Sequence, residues 1–290
     1  MNASRLGLGT AQFGLAYGVS NAGGQVSLGE AERILDLAYE AGIRTLDTAA
    51  AYGEAEQVLS RLRAGARFEI ISKSPPLREG GAAMALAAVQ RSLELLGPKP
   101  LDAVLVHHAR DLASEEGGRL WDGLLRLRAD GRVKRIGFSA YFEDDPAALA
   151  RAFAPDLVQL PLSVLDQRPL RSGQLTALAE MNVAVHARSV FLQGLLFLDA
   201  ARMPRAIADV APGIERARST FASAGVTPVN AALAFVMSRP EVERVIVGVT
   251  SAAELRELVE GATAPAPAVD WSGLALDHPR ALTPSLWEAA

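Results

Sequence analysis

The chain has 290 residues, of which 50% are hydrophobic, so it can form one large core or two modest domains. The formal net charge of -4 at pH 7 leaves no basic excess that could neutralise the phosphates of a nucleic acid. The sequence contains no cysteine, which excludes disulfides, thiolate zinc sites and a cysteine nucleophile.

Short runs of β-branched and aliphatic residues alternate with longer helical patterns almost to the end of the chain. Eight runs are predicted strands, at residues 5–10, 43–48, 68–73, 101–107, 133–139, 156–160, 183–189 and 242–248. Several of these runs are apolar without strict alternation, which is typical of parallel strands that are covered on both faces.

The first amphipathic segment runs from Ser27 to Gly42. Ser27 and Glu30 form the pattern of a capping box at its start, and apolar residues recur at helical spacing after them. Further helical patterns occupy about 81–96, 115–129, 145–153, 170–181, 204–222, 228–238 and 251–260. No proline- or serine-rich linker divides them. Eight strand–helix units in this order predict an α/β protein with a single-domain (β/α)8 TIM barrel over residues 1–260.

The last segment, residues 261–290, breaks this pattern with proline and alanine. It contains two tryptophans, Trp271 and Trp287, which lead us to expect that it packs near the mouth of the barrel. A disordered end is the alternative.

Ionisable residues end three consecutive predicted strands. Asp47, Lys73 and His107 close the second, third and fourth strands, and Tyr52 lies in the loop after the second. Each residue alone has a simpler interpretation. Asp47 can be a helix cap and Lys73 a solvated strand end, while His107 can be a buried core histidine and Tyr52 the start of a helix. In a (β/α)8 barrel the carboxyl ends of the strands surround the active site, so their shared position favours a joint chemical role.

Proton donation to a carbonyl is the chemistry that needs this set of residues. A tyrosine hydroxyl, with an ordinary pKa of about 10, is a weak acid at neutral pH. A lysine ammonium about 4 Å away would stabilise the phenolate by up to about 4 kcal/mol at an effective dielectric constant of about 20. Asp47 would keep the buried Lys73 charged, and a neutral His107 would orient the substrate oxygen. Tyr52 is then the predicted general acid.

At these residues the chain resembles the aldo-keto reductase superfamily, over nearly its whole length. The matching stretches, in chain order, are LGLGTAQFG, GIRTLDTAAAYG, ISKSP, LDAVLVHH, GRVKRIGFSAY, VQLPLSVLDQ, SVFLQGLL and VIVGVTSAAEL. The resemblance implies a (β/α)8 barrel and hydride transfer from NADPH to an aldehyde or ketone. The catalytic roles that it implies fall on Asp47, Tyr52, Lys73 and His107, with Tyr52 as the acid.

The resemblance also implies residues that bind the cofactor. Ser139 and Gln159 match family residues that hydrogen-bond the nicotinamide carboxamide, although ordinary strand-end polarity is the simpler interpretation. Ala140 stands where the family commonly has an asparagine, and Arg188 stands where many members stack a tyrosine on the nicotinamide. Because a guanidinium can stack on a flat ring or pair with an anion, we predict that Arg188 covers the nicotinamide or binds an acidic substrate or a cofactor phosphate. A surface arginine is the alternative.

The adenosine end is predicted at the start of the last barrel helix. Gly248, Thr250 and Ser251 precede a helix N-terminus, which suits a phosphate oxygen. Glu254 occupies the position at which many members carry an arginine for the 2′-phosphate of NADPH. Ser251 and Glu254 also form a capping-box pattern, which can be their whole purpose. NADPH is the cofactor that the resemblance implies, with NADH as the alternative that Glu254 favours.

The sequence therefore predicts an enzyme that uses NADPH or NADH to reduce a small-molecule aldehyde or ketone to an alcohol. Two alternatives remain: a cofactor-binding barrel that acts as a sensor or regulatory subunit, and a lyase or isomerase that forms a Schiff base on Lys73. The second needs a lowered lysine pKa, whereas Asp47 would raise it. Neither the substrate nor the oligomeric state is indicated by the sequence.

Other classes of partner have no support in the sequence. The four histidines lack the HExxH spacing of a helical metal site, so we predict no metal. No stretch approaches an uncharged membrane span, and the start lacks the charged-then-apolar layout of a signal peptide. We expect a cytoplasmic protein that binds neither a membrane nor a nucleic acid.

Overall fold

Eight parallel strands close into a barrel in the computed structural model, which describes residues 3–77 and 80–287. The strands are β1 (Leu6–Gly9), β2 (Thr45–Asp47), β3 (Glu69–Lys73), β4 (Leu101–Val106), β5 (Val133–Ser139), β6 (Leu157–Pro161), β7 (Ala184–Arg188) and β8 (Val242–Gly248). Each strand pairs with the next one in the sequence, and β8 pairs with β1. The predicted (β/α)8 barrel is confirmed.

Helices lie between the strands. The α-helices of the described residues are α1 (Ala11–Gly14), α2 (Leu28–Glu40), α3 (Ala55–Arg61), α4 (Gly81–Leu95), α5 (Glu115–Ala129), α6 (Pro146–Phe153), α7 (Arg168–Arg171), α8 (Gln174–Glu180), α9 (Ala211–Ser223), α10 (Pro228–Met237), α11 (Ala252–Thr263) and α12 (Pro279–Leu282). Short 3₁₀ helices lie at Ala3–Arg5, Ala64–Ala66, Ala109–Ala113, Phe142–Asp144, Leu192–Phe197, Ala200–Arg202, Arg205–Val210 and Pro284–Leu286.

Two predicted helices are interrupted in the structure. The helix predicted at 170–181 is divided into α7 and α8, because Gly173 takes a left-handed conformation, with φ of 78°, between them. The helix predicted at 204–222 begins as a 3₁₀ helix in which Ile207 departs from helical geometry, and α9 follows it. The eight helical patterns also leave out α1 and α3, which have only 4 and 7 residues, although the start of a helix near Tyr52 is one of the alternatives that the sequence offers.

Apolar side chains fill two regions of the barrel. Ile71, Ala103, Leu105 and Leu157 form a small buried cluster, and a much larger cluster fills the space between the strands and the helices. Because side chains alternate along a strand, Ile71 and Lys73 share one face of β3. The small cluster therefore lies within the barrel, as a floor beneath the carboxyl ends of the strands.

The segment after α11 packs against elements of the barrel. The side-chain Nε2 of Gln167, in the loop after β6, donates to the Trp271 carbonyl at 2.7 Å. The Trp271 ring lies 5.7 Å from the ring of Phe235 on α10, measured between centroids. The division of the chain at residue 260 stays a prediction, and residues 288–290 of the predicted tail lie outside the described residues.

Within residues 3–77 and 80–287, no single helix is long and apolar enough to cross a membrane. Arg205–Ser223 and Pro228–Met237 meet the requirements of length and composition only as a pair, and this pair is bent by 93°.

A cluster of charged groups reaches from the middle of β7 to the amino ends of the strands. His186 is fully buried, and its Nε2 lies 3.1 Å from Glu243 Oε1 on β8. Arg135 on β5 bonds both Glu243, at 3.1 Å, and Asp102 on β4. Burial lowers the pKa of His186 despite the neighbouring carboxylate. The hydrogen bond with His186, together with the Arg135 guanidinium, lowers the pKa of Glu243 to about 2.

These pKa shifts predict a loss of stability in acid. The unfolded chain takes up a proton on His186 at a higher pH than the folded chain, so the free energy of unfolding falls as the pH drops below the ordinary histidine value of 6.5. Glu243 adds a further loss as the pH falls from 4.5 to about 2. Urea unfolding at about pH 7 and about pH 5 should show the loss, and the loss should be smaller in His186→Leu.

His278→Gln is the matched control for this experiment, because His278 is a partly exposed histidine that caps the short helix α12. It should lose as much stability between the two pH values as the wild type. Equal losses in the wild type and in His186→Leu would contradict the prediction.

Candidate active site

A cavity of about 670 Å³ opens at the carboxyl ends of the strands. The predicted site residues that line it are Asp47, Tyr52, His107, Ser139, Gln159, Arg188, Gly248, Thr250 and Glu254. The two other predicted residues are next to lining residues: Lys73 contacts Asp47 and Tyr52, and Ser251 follows Thr250 and caps α11. The volume is in the range of small-molecule and cofactor sites. The structure thus brings the predicted residues together around one cavity.

Lys73 is the centre of a buried hydrogen-bond network. Its Nζ lies 2.5 Å from Asp47 Oδ1 and donates to the Thr48 carbonyl at 3.0 Å and to Tyr52 Oη at 3.4 Å. Lys73 is only 1% exposed and Asp47 only 3% exposed. The Gln159 Nε2 donates to the second carboxylate oxygen of Asp47 at 2.7 Å. Both oxygens of this carboxylate are therefore bonded to buried donors.

Opposing effects set the charge of Lys73. Burial alone would lower the pKa of its ammonium, because the charged form loses its hydration. The Asp47 carboxylate and then the Tyr52 hydroxyl outweigh this effect, so the pKa of Lys73 lies above its ordinary value. Removing one partner from a buried ion pair costs about 3–5 kcal/mol. The pair is therefore a fixed charge distribution in the site and also a constraint on the fold.

His107 presents a neutral imidazole to the cavity. Burial, followed by the nearby Lys73 ammonium, lowers its pKa to about 2. Its ring centroid lies 5.6 Å from that of Tyr52, in an edge-to-face arrangement. Among the described residues, its buried Nδ1 has no hydrogen-bond partner. A neutral imidazole carries one N–H, which can donate to an oxygen held beside Tyr52.

Close backbone packing fixes the turn that carries Tyr52. The Tyr52 N–H donates to the Ala49 carbonyl at 3.0 Å. A Cβ on Gly14 would lie 1.9 Å from the Tyr52 carbonyl oxygen. A Cβ on Gly53, where φ is 55°, would lie 2.4 Å from the Gly14 carbonyl oxygen. Only glycine fits either position, so α1 and the turn are in direct backbone contact.

Glu56, a buried carboxylate that sequence reasoning misses, supports the same turn. It lies on α3, is 6% exposed, and accepts hydrogen bonds from Ser72 Oγ at 2.6 Å and from Ser92 Oγ at 2.7 Å. Because Ser72 precedes Lys73 on β3, these bonds tie the helix that follows Tyr52 to the strand that carries the lysine. Glu56 is one of the buried residues of α3, and this burial is visible only in the structure.

Arg188 lies at the end of β7, against the loop that follows β5. Its guanidinium carbon is 4.5 Å from the centre of the Tyr141 ring. Its nitrogens donate to the Ala140 carbonyl at 3.3 Å and to the Ser189 hydroxyl at 3.2 Å. Since Tyr141 lines the same cavity, these contacts hold the guanidinium at the cavity wall.

Ser139 and Gln159 are direct neighbours in the register of β5 and β6. Both are buried, at 5% and 1% exposure. Their side chains end at the cavity, where both are part of its lining. The structure therefore places the two predicted carboxamide-binding residues side by side.

Carboxylates occupy the start of α11. The Ser251 hydroxyl accepts from the Glu254 N–H at 3.2 Å, as the capping-box pattern predicts. The Glu254 carboxylate, however, accepts from the N–H and the hydroxyl of Thr250, at 2.6 Å and 2.8 Å, rather than from the Ser251 N–H. Glu30 from α2 accepts from the Ala252 N–H at 2.7 Å. Two carboxylates thus use N–H groups that could otherwise bind a phosphate.

Glu30 departs from its predicted capping box in a similar way. Ser27 Oγ accepts from the Glu30 N–H at 3.3 Å, but the Glu30 carboxylate crosses to α11 and also pairs with Arg33. The hydrogen bond from the Ala252 N–H, followed by that from Arg33, lowers the pKa of Glu30. The carboxylate at the start of α11 is therefore ionised at neutral pH.

Metal ligands are not grouped in the part of the chain that the structure describes. No set of three or more His, Cys, Asp or Glu side chains in that part could hold a metal ion.

Comparison with known proteins decides the family. A model of the aldo/keto reductase family matches residues 5–274. The chain belongs to the aldo/keto reductase family. Members of the family are oxidoreductases that act on carbonyls.

Two relatives show how far the likeness of this aldo/keto reductase extends. It is 33% identical to an aldo-keto reductase of Mycolicibacterium smegmatis over 154 residues, which are 51% of this chain and 54% of the relative. It is 27% identical to D-threo-aldose 1-dehydrogenase of Pseudomonas sp over 90% of this chain and 92% of that relative. The chain spans about half the length of the mycobacterial relative and most of the length of the dehydrogenase.

A solved structure shares the fold of this aldo/keto reductase. An aldo-keto reductase from Bacillus halodurans, in its holo form, matches it with a TM-score of 0.72. The match covers 90% of this chain and 87% of that chain, at 20% sequence identity. The likeness at this identity concerns the barrel itself.

The contact between Gly14 and the Tyr52 turn predicts that Gly14→Ala destabilises this aldo/keto reductase. The added methyl group would overlap the Tyr52 carbonyl oxygen, at 1.9 Å, and the Ala55 nitrogen, at 2.4 Å. Overpacking of this kind lowers the free energy of unfolding by about 1–3 kcal/mol, which urea denaturation measures.

Gly118→Ala on α5 is the matched control, because a Cβ at Gly118 meets no atom within 4 Å. Alanine is favoured over glycine within a helix, so this variant should be as stable as the wild type or more stable. A Gly14→Ala variant with wild-type stability would show that the close contact does not exist.

Proposed function

We propose that this aldo/keto reductase uses a nicotinamide dinucleotide to reduce a small-molecule aldehyde or ketone, with Tyr52 as the general acid. The observation that carries the proposal is the buried network in which Lys73 Nζ contacts both Asp47 and Tyr52. Reduction of a carbonyl needs a hydride at the carbon and a proton at the oxygen. The protein side chains are suited to supply the proton, and the nicotinamide would supply the hydride.

The cavity residues suit a nicotinamide dinucleotide. Ser139 offers a hydroxyl to a carboxamide, and Gln159, whose NH₂ group is bonded to Asp47, offers its amide oxygen. The cavity continues from these residues past Gly248 to Leu258 on α11, which gives room for an extended molecule. The donors and acceptors present therefore match the polar groups of the cofactor at its nicotinamide end.

In the proposed mechanism, Tyr52 donates its hydroxyl proton to the carbonyl oxygen of the substrate. Lys73, held in its charged form by Asp47, stabilises the phenolate that remains, because opposite charges attract more strongly when one of them is buried. The neutral His107 donates an N–H to the same substrate oxygen while negative charge develops on it. Tyr52 thus supplies the proton, Lys73 stabilises the charge left on Tyr52, and His107 stabilises the charge on the substrate oxygen.

The charge of Lys73 disfavours the Schiff-base alternative. A lysine that forms a Schiff base attacks as a neutral amine and needs a lowered pKa, whereas the Asp47 carboxylate raises the pKa of Lys73 against the effect of burial. A regulatory barrel would retain cofactor binding without turnover. Turnover measurements therefore separate that alternative from a reductase.

The start of α11 supports the proposal that NADPH is not strongly preferred to NADH. The 2′-phosphate that distinguishes NADPH adds negative charge, and like charges repel. Glu254 and the ionised Glu30 already accept hydrogen bonds from the N–H groups of Thr250 and Ala252. A ribose diol would meet the Glu254 carboxylate, which lines the cavity, as a hydrogen-bond acceptor without repulsion.

Polar carbonyl compounds, including aldoses, are the first substrates to test. The cavity is lined by the polar residues of the site and by the apolar residues Leu15, Phe191 and Phe197. One relative carries the name D-threo-aldose 1-dehydrogenase. The proposed reaction involves a small molecule and neither a nucleic acid nor a membrane, and the cytoplasmic location stays a prediction.

Tyr52→Phe should lower kcat about 10²–10⁴-fold, because this is the usual contribution of a general acid, and should leave cofactor binding intact. The measurement is the loss of reduced-cofactor absorbance with a panel of aldehydes, ketones and aldoses. Tyr39→Phe is the matched control, since Tyr39 lies on α2 and packs edge-on against Phe68, away from the cavity. Full activity of Tyr52→Phe would contradict the assigned acid, and cofactor binding without any wild-type turnover would favour the regulatory alternative.

Glu254→Gln should strengthen binding of NADPH by about tenfold and should leave the affinity for NADH unchanged. The substitution removes a repulsion between the Glu254 carboxylate and the 2′-phosphate, which at a solvated site has an effect of this order. Equilibrium titrations of both reduced cofactors measure the two dissociation constants. Glu260→Gln is the control, because Glu260 is an exposed carboxylate on the same helix. A wild type that strongly prefers NADPH, with a preference unaltered by Glu254→Gln, would overturn this part of the proposal.

A further inference from the structure

Arg188 is a cation of the cavity that no carboxylate neutralises. Its hydrogen bonds go to a backbone carbonyl and to a serine hydroxyl, and its third contact is the Tyr141 ring. In the described part of the chain, no ion pair involves its guanidinium. The other cation of the site, Lys73, is paired with Asp47. The two basic residues therefore differ in whether their charge is balanced.

The net charge around Arg188 is positive. Asp47 and Lys73 cancel each other, and His107 is neutral because burial and the Lys73 ammonium lower its pKa to about 2. The remaining carboxylates that line the cavity belong to α11, at the end predicted for adenosine. Arginine keeps its charge throughout the working pH range. The cavity thus carries one uncompensated positive charge at the end of β7.

The position of Arg188 relates this charge to the nicotinamide. Arg188 is in register with Pro161, which lies two residues beyond Gln159 on β6. It also donates to the carbonyl of Ala140, which follows Ser139 in the chain. The guanidinium therefore contacts the residue that follows Ser139, and it lines the same cavity as Ser139 and Gln159, the two residues that we propose for the carboxamide.

We infer that Arg188 makes the protein bind the reduced cofactor more tightly than the oxidised cofactor. The inference rests on the proposed function, in which the nicotinamide lies at Ser139 and Gln159. An oxidised nicotinamide ring carries a positive charge that the reduced ring lacks, so the guanidinium repels only the oxidised form. For two unit charges a few ångströms apart at a partly solvated site, Coulomb's law gives a difference in affinity of about tenfold or more.

The difference in affinity has consequences for both directions of the reaction. A tenfold ratio of the two dissociation constants corresponds to about 30 mV in the two-electron potential of the bound cofactor. After a carbonyl has been reduced, the oxidised cofactor dissociates more readily. While it is bound, the oxidised cofactor is also a stronger hydride acceptor, which favours oxidation of an alcohol on the protein.

The experiment measures four dissociation constants for each protein, those of NADPH, NADP⁺, NADH and NAD⁺, by calorimetric titration. The wild type should bind each reduced form more tightly than its oxidised partner. Arg188→Gln should lower the ratio of oxidised to reduced dissociation constants by about tenfold, since it removes the charge. Arg188→Lys keeps the charge and should retain most of the ratio, which separates the charge from a structural role of the side chain.

Arg256→Gln is the matched control, because it removes one positive charge from an exposed position on α11. It should leave the ratio unchanged. A wild-type ratio in Arg188→Gln would overturn the inference while the proposed function stands, because both cofactor forms still bind. Failure of the wild type to bind any of the four cofactors would overturn the proposed function and the inference together.

A 2-oxo acid provides a second probe. If Arg188 instead binds an anionic group of the substrate, Arg188→Gln should weaken inhibition by pyruvate and leave the cofactor ratio unchanged, and this result would also overturn the inference. A lower cofactor ratio with unaltered inhibition by pyruvate supports it.

Discussion

The ion pair between Lys73 and Asp47 is the constraint on which the rest of the site depends. A buried ammonium is tolerated only when a carboxylate and hydrogen-bond acceptors surround it. That requirement fixes β2 against β3 at their carboxyl ends, and the bond from Gln159 to Asp47 extends it to β6. The Tyr52 hydroxyl lies within reach of the same ammonium. One interaction therefore serves the closure of the barrel and the chemistry that we propose at its mouth.

Charge is distributed unevenly along the cavity. Its β7 end carries the guanidinium of Arg188 without a carboxylate partner, whereas the start of α11 carries Glu254, and Glu30 of α2 is bonded to the Ala252 N–H nearby. A dinucleotide bound along this path would meet a positive environment at one base and a negative one at the other. With this polarity, Arg188 would select the redox state of the dinucleotide, and the carboxylates at the start of α11 would select against its 2′-phosphate.

The site residues at the strand ends could be predicted because each is marked by the few residues that precede it in the chain. Asp47, Lys73 and His107 each follow an apolar run, and parallel strands bring such positions together whatever the rest of the chain does. The use of Glu30 at α11 and of Glu56 beneath the Tyr52 turn could not be predicted, since it depends on which helices become neighbours. The capping-box patterns correctly predict the hydrogen bonds of the serine hydroxyls. They do not predict the partners of the glutamate carboxylates, because those depend on which donors the packed structure brings near. The interruptions at residues 173 and 207 likewise reflect local backbone geometry that apolar periodicity does not report.

The hydrogen bond that the Ala252 N–H donates to the Glu30 carboxylate joins the first large helix of the barrel to the last, across 222 residues of the chain. A contact of such sequence separation costs the entropy of closing a long loop. During synthesis, Tyr52 and Lys73 emerge well before the start of α11. The start of α11, which we propose to bind adenosine, therefore takes its final form only when α2 and α11 have come together.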